Sequence, residues 1–454
     1  MIHKKWLFRI GSAVFLAALL AAAASHAEET RRAPERGYTA NVIVMVPDGC
    51  DPSVATLARW VKGAPLHLDD IGAGMIKTHM ANSVITGSAA AATAFATGHK
   101  TSVGFVGVGP SPVAPDGGRL GFLTGFVPTA APFEPVASVL EGAKIEGMAA
   151  GLVATSRITH PTPAAFAAHV DDRDNENDIM EQLVHQDLDV VFGGGAQHLF
   201  PAGSRYETTS GGTWRGKRTD GENLLDVLAG RGVRFIDDKA ELPGLAGGPV
   251  WGLFAESHMD PDIDRDDLHP TQPSLAEMTE AAIDILSENR RGFFLLVEGS
   301  QVDWAGHAND AGYMVSEFLA FDAAVGKALS FARSDGRTLV LVFPDHNTGG
   351  LSIGQGQSGW ADVPPDYLAT SVEALIAPIK DAGATVGGLL ETLPEGATGA
   401  DVQAAFAARM GGYWQNRLLA ADAAEIAAHA ADPAHAAALI SRRSAWAPKV
   451  VRRR

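Results

Sequence analysis

Five short apolar runs constrain this chain more than any other feature: Val42–Val46, Ala149–Ala154, Leu188–Phe192, Phe293–Val297 and Leu339–Phe343. None alternates apolar with polar residues, so each reads as a strand buried on both faces, as in a parallel sheet covered by helices. Helical patterns separate them, at Ser88–Ala96, Glu134–Ile145, Asp178–His185, Ser274–Ser287 and Glu317–Ala332. Strands alternating with helices predict an α/β fold, a three-layer αβα sandwich around a central, mostly parallel sheet with right-handed crossovers. Two stretches break the rhythm. Residues from about 200 to 272 are rich in Gly, Asp and Pro and read as loop elaboration, while residues from about 366 to 440 are Ala-rich and read as helical elaboration. No internal repeat is visible, and residues 28–454 read as one large domain.

The N-terminus reads as an export signal. His3, Lys4, Lys5 and Arg9 accompany an apolar run from Ile10 to Ala24, and Ser25-His26-Ala27 sets small residues before Glu28. That is the pattern of a cleaved signal peptide over residues 1–27. The run falls short of the ~20 apolar residues of a membrane span. The expected location is periplasmic or secreted, with no membrane span in the mature chain. Charge narrows the partners. The chain holds 36 Lys and Arg against 53 Asp and Glu, a net −17 that becomes −20 once Lys4, Lys5 and Arg9 are removed. Such an acidic protein is a poor binder of nucleic acid. Any site for an anion must be made locally positive, as bound metal ions would make it. Cys50 is the single cysteine, so no intrachain disulfide forms, and it reads as a buried small residue.

In parallel sheets, function collects beyond the carboxyl ends of the strands. Here the run Val42–Val46 leads to Asp48, Ala149–Ala154 to His160 and Thr162, Phe293–Val297 to Glu298, Asp303 and His307, and Leu339–Phe343 to Asp345 and His346. One acid at a strand end is an ordinary turn residue. Metal-ligating groups after four strands are not, because carboxylates gathered this closely repel one another unless cations lie among them. Asp303 and His307, four residues apart, share a face if their segment is helical. A carboxylate and an imidazole so placed suit zinc. Together the groups suggest neighbouring zinc sites able to clamp both oxygens of a phosphoryl displacement.

The second signal is Thr86-Gly87-Ser88-Ala89-Ala90-Ala91-Ala92-Thr93-Ala94. Gly87 reads as permitting a tight backbone approach, and Ser88 as opening a helix of small residues. A lone serine there is usually a helix cap. The same position also stabilises an alkoxide or a bound phosphate through the free amides of the first turn.

These residues and their order resemble the alkaline phosphatases. The resemblance rests on Asp48, Thr86-Gly87-Ser88-Ala89-Ala90, Ala96-Thr97-Gly98-His99-Lys100-Thr101, Thr159-His160-Pro161-Thr162-Pro163-Ala164, Val297-Glu298-Gly299-Ser300, Asp303 to His307, and Asp345-His346-Asn347-Thr348-Gly349-Gly350. It is dense from Asn41 to Gly350 and loose beyond. It implies metal-dependent hydrolysis of small phosphate monoesters, with Ser88 as the nucleophile that becomes phosphoserine. Asp48 would bridge a second zinc and a magnesium, with Asp345 and His346 completing that zinc site. Asp303 and His307 would bind a first zinc, and Thr162 and Glu298 the magnesium. Arg173 would clamp the phosphate, and the chain would form a homodimer. Read without the resemblance, Arg173 is a solvated residue in the charged run Asp171-Asp172-Arg173-Asp174.

Three positions depart from the best-studied bacterial pattern. Gly87 stands where an aspartate usually holds the arginine, His160 where the third site has Asp, and Trp304 where it has Lys. His160 is expected to shift the third site toward softer ions than magnesium, and Trp304 to pack over the site. The family also supplies a late histidine to the first zinc. Here Ile440-Ser441-Arg442-Arg443 is followed by an atypical basic tail, 444–454, with no histidine after His435. The expectation is a truncated or frame-shifted end, an incomplete first zinc site and reduced turnover. A phosphodiesterase or sulfatase of the same superfamily, and a homologue with weak or no turnover, remain competing readings.

Overall fold

The computed structural model describes residues 39–112, 130–245, 247–349, 351, 353, 372–410, 418–430, 436 and 439. The chain divides into Met1–Ala40 and a second unit, Asn41–Arg454, which carries the sheet, its helices and the site. The signal segment 1–27 and the basic tail 444–454 lie outside the described residues. Among the described residues, no helix is long and apolar enough to cross a membrane.

The five expected strands form, as β1 (Asn41–Pro47), β2 (Ala149–Arg157), β3 (Val190–Gly194), β6 (Phe293–Gly299) and β7 (Thr338–Val342), together with β4 (Arg234–Ile236) and β5 (Val250–Leu253). The sheet runs β4-β5-β3-β2-β6-β1-β7 and every pairing in it is parallel. Strands β4 and β5 correct the reading of residues 200–272 as loop. They pair through Arg234↔Val250 and join the sheet through Val190↔Val250. Runs this short, set among Gly and Pro, leave no period to read; the ladder with β3 makes them strands. The same stretch holds an antiparallel ribbon, Arg205–Glu207 with Thr213–Arg215.

The lack of alternation in the strands has its expected cause. Val44, Val46, Leu152, Ala154, Val191 and Leu296 pack on one face, against the helices Ser88–Thr97, Val139–Ile145 and Glu176–His185. Ile43, Met45, Val153, Phe192, Leu295 and Val297 pack on the other, against Leu275–Leu286 and Ala311–Asp335. Successive residues are both buried because both faces are covered, each large aliphatic contributing about 1.5–3 kcal/mol. The three layers are therefore helix, sheet and helix. Outermost β7 differs: Leu339 and Leu341 are 43% and 38% exposed. The later helices Val386–Glu391, Gly399–Arg409 and Ala420–Ala428 have a separate core around Leu389, Val402, Phe406 and Ile426. Buried Asp264 ties this part to the body by accepting the Thr385 hydroxyl at 2.5 Å and its backbone N–H at 3.1 Å.

Candidate active site

Register brings the strand ends together. Glu298 of β6 lies opposite Val46 of β1 on one side and Ala154 of β2 on the other. Asp48 follows two residues after Val46, and Asp345 follows β7 on the far side of β1. Gly49 makes the approach possible. Its φ is +70°, and a Cβ there would lie 2.7 Å from the Asp303 Cα and overlap the Thr348 hydroxyl.

Asp345 and Glu298 are each held by one oxygen and open at the other. Asp345 accepts backbone N–H groups of Gly49 (3.0 Å) and His346 (2.8 Å) on Oδ1, while its buried Oδ2 has no hydrogen-bond partner. Glu298 accepts the hydroxyls of Ser300 (2.6 Å) and Ser156 (3.3 Å) on Oε2, leaving Oε1 without a partner. Both oxygens of Asp48, the Thr162 hydroxyl and Nδ1 of His160 are likewise buried without a partner. One buried unsatisfied polar atom costs about 1–3 kcal/mol, and a charged one more. So many in one place mark a site built for cations. Burial raises the Asp48 carboxyl well above its usual range, and Asp345, Glu298 and Asp303 push it the same way. Glu298 is pushed up to about 7, chiefly by burial. A cation among them reverses both effects.

At these strand ends two ligand groups are close enough to hold an ion, Asp48–Asp303–His346 and Asp48–His160–Glu298, with the ligand atoms of each group within 4.8 Å of one another; a third group among the described residues, Glu181–Asp220–Glu222, is more exposed and contains none of these residues. Asp48 belongs to both strand-end groups. Each of the two offers two carboxylates and one imidazole, a donor set that fits zinc, and the carboxylates also suit magnesium. His346 Nε2 sits 3.6 Å from Asp48 Oδ1 and 3.3 Å from Asp345 Oδ2. It also lies 3.4 Å from the Ser88 hydroxyl.

Ser88 is the first residue of the helix Ser88–Thr97, and Gly87 its N-cap, which gives the helix no side-chain cap. The reading of Gly87 as a tight-approach glycine is corrected. Its φ is −128°, an extended conformation open to any residue, and a Cβ there would meet nothing within 4 Å. What it does is leave the first-turn amides uncovered. Asp303 and His307 share a face of the helix Gln301–Ala308, with Nε2 of the histidine 3.5 Å from the carboxylate. The Asp303 side chain is 8% exposed and that of His307 is 70% exposed, so the histidine reaches the pair from the solvent side. Thr348 donates its hydroxyl to Asp303. Arg173 donates its backbone N–H to Gly104 (2.9 Å) and lays its guanidinium 3.1 Å from His160 Nε2. Burial, then the charge of Arg173, holds His160 well below its usual range, so its ring is neutral.

The alkaline phosphatase family model matches residues 39–384. This chain belongs to the alkaline phosphatase family. It is 36% identical to the repressible alkaline phosphatase of Saccharomyces cerevisiae over 338 residues, 68% of this chain and 55% of the yeast protein. It therefore spans about half the length of that relative. Among solved structures, the alkaline phosphatase of Thermus thermophilus is 29% identical with a TM-score of 0.69, covering 88% of this chain and 77% of that one. A variant of the TAB5 alkaline phosphatase, with magnesium bound in its M3 site, is 31% identical with a TM-score of 0.56, covering 71% and 83%.

Within this alkaline phosphatase frame, several residues near the ligands were not singled out from sequence. Ser156 and Ser300 orient Glu298, Thr348 orients Asp303, and His258 packs its ring edge-to-face on Trp304, 4.3 Å between centroids. Trp304 also stands 5.9 Å from the His160 ring. Serines and threonines are too common for spacing to mark them, and His258 enters from the turn after β5, a strand invisible in the pattern.

Proposed function

We propose that this chain hydrolyses phosphate monoesters through a phosphoserine formed on Ser88. The observation that carries the reading is convergence: the Ser88 hydroxyl, His346 Nε2 and the open oxygens of Asp48 and Asp345 meet at an uncapped helix N-terminus. Asp48, Asp345 and His346 would hold one zinc, Asp303 and His307 another, and Asp48, Thr162 and Glu298 a magnesium beside His160. The magnesium reported for the TAB5 variant supports a cation at the third position. Bound there, such ions act as Lewis acids that lower the pKa of a hydroxyl and stabilise a departing oxygen.

The chain's own residues do the rest. Ser88 Oγ gives up its proton to solvent and attacks phosphorus, forming the Oγ–P bond as the bond to the leaving oxygen breaks, and that oxygen takes a proton from water to depart as the alcohol. The first-turn amides of its helix face the added negative charge. Arg173 offers a planar fork to two non-bridging oxygens. Water then cleaves the Oγ–P bond, releasing inorganic phosphate and restoring the serine. We further read residues 1–27 as directing export to the periplasm or medium. Exposed Met75, Ile76, Val84 and Ile85 support a homodimer, testable by sedimentation.

Incubation with labelled phosphate and acid quench tests the core of this. The unaltered chain should retain label and Ser88→Ala should retain none; equal labelling of the two would remove Ser88 as nucleophile. Parallel assays on an aryl monoester and an aryl diester fix the substrate class.

A further inference from the structure

Arg173 is held loosely for a residue that must aim a fork at two oxygens. Among the described residues, its guanidinium meets one side chain, His160, and Gly87 beside the nucleophile offers none. Its aim must come from its backbone. That backbone is pinned to Gly104 at Arg173 itself and enters the helix Glu176–His185 three residues later. Glu176, the first residue of that helix, is where the second pin falls. Arg157, the last residue of β2, grips it with both arms of a fork, Nε to Oε2 at 2.7 Å and Nη2 to Oε1 at 2.8 Å. The Thr159 hydroxyl, one residue before His160, donates to the same carboxylate.

We propose that the Arg157–Glu176 pair is the positioning element for Arg173, and so sets the affinity of the site for phosphate. The inference rests on the reading of Arg173 as the phosphate clamp. The pair ties two segments that must stay in register, the helix start following Arg173 and the turn carrying His160 and Thr162. Bidentate arginine–carboxylate pairs fix orientation as well as distance. These two side chains are 22% and 17% exposed, which spares the pair most of the screening that weakens surface ion pairs. Arg157 also fastens the turn beside Trp304: it donates its backbone N–H to His258 Nδ1 at 3.0 Å and Nη1 to the Ser257 hydroxyl at 3.2 Å. Neither Arg157 nor Glu176 touches the reacting atoms, so both act through Arg173.

The test is a double-mutant cycle on the metal-loaded enzyme, read as the inhibition constant of inorganic phosphate. Displacing a positioning group by about 1 Å costs up to ~100-fold, and Glu176→Ala is expected to weaken phosphate about 10-fold. Arg157→Lys, which keeps the charge and loses the fork, should move it the same way. In an Arg173→Ala background, Glu176→Ala should change the constant less than about twofold, because coupled residues are not additive. Metal content, measured by elemental analysis, should match the parent throughout. Equal costs in the two backgrounds overturn the positioning role while leaving Arg173 as the clamp. If Arg173→Ala alone leaves phosphate affinity unchanged, the clamp reading falls and this inference with it. Glu176→Gln, close in shape and compatible with the helix start, carries the same cycle if the alanine variant does not fold.

Discussion

At the scale of single residues, the site depends on carboxylate oxygens that the protein leaves open: one each on Asp345 and Glu298, and both on Asp48. The backbone N–H groups of Gly49 and His346 satisfy the other oxygen of Asp345, and Ser300 and Ser156 satisfy that of Glu298. Gly49 is the least replaceable of these neighbours. Its φ of +70° strains any other residue, and a Cβ would displace Asp303 and Thr348. Gly49→Ala is therefore expected to cost about 2 kcal/mol or more of stability and to lower bound metal. Thermal melts and elemental analysis check the two effects, and a variant with parental Tm and metal content would contradict the close-approach argument. Gly87 sits one residue from the proposed nucleophile and has no such constraint, so Gly87→Ala should fold with parental stability to within ~1 kcal/mol.

At the scale of elements, the helix Ser88–Thr97 explains its own composition. Ala89, Ala92 and Ala96 are buried in the core under the sheet, and Ala90 and Ala91 are buried as well. Small residues let the helix lie close enough for Ser88 to reach His346. Ala92→Leu should overpack this contact by about 1–3 kcal/mol, seen in chemical denaturation, and should reduce phosphoserine formation by moving the helix start. The long helix Ala311–Asp335 supplies a pH-dependent element. Its Glu317 is buried and accepts the Asp262 backbone N–H at 2.6 Å; burial, then the Asp262 charge, pushes its carboxyl up from 4.5 to about 8. Between those values the folded chain keeps a proton that the unfolded chain has released. Stability therefore falls as pH rises through that interval and levels off above it. Glu317→Gln should flatten the decline in Tm between about pH 5 and pH 8, and an unchanged slope would show that Glu317 does not titrate there.

At the scale of the whole molecule, the closed carboxylate cluster sits inside a chain of net charge −17. Burying Asp48, Glu298 and Asp345 together without a cation is unfavourable, so bound metal should contribute to folding as well as to chemistry. A chelator is expected to lower the Tm, and zinc with magnesium to restore it; a Tm indifferent to chelation would mean the cluster binds no metal that matters to stability. The long-range order of the molecule was largely legible beforehand. Five strands and the helices between them could be read because continuous apolar runs have one economical solution, a parallel sheet covered on both faces. Strands β4 and β5 were not legible, because three or four residues carry no period and only the partner ladder defines them. Neither was the exposure of His307, which depends on how its helix meets solvent.

Sequence alone determined which residue types stand after which strands, the family they resemble, and the alternation of strand and helix, because these are properties of order and spacing along the chain. Tertiary structure decided which oxygens remain open, that Asp48 serves two ligand groups, that Gly49 rather than Gly87 is the glycine the site cannot replace, and that Arg157 reaches Glu176 across nineteen residues of chain. The physical reason is the same for each. Hydrogen-bond satisfaction and close approach are relations between segments distant in sequence, and no local pattern encodes them.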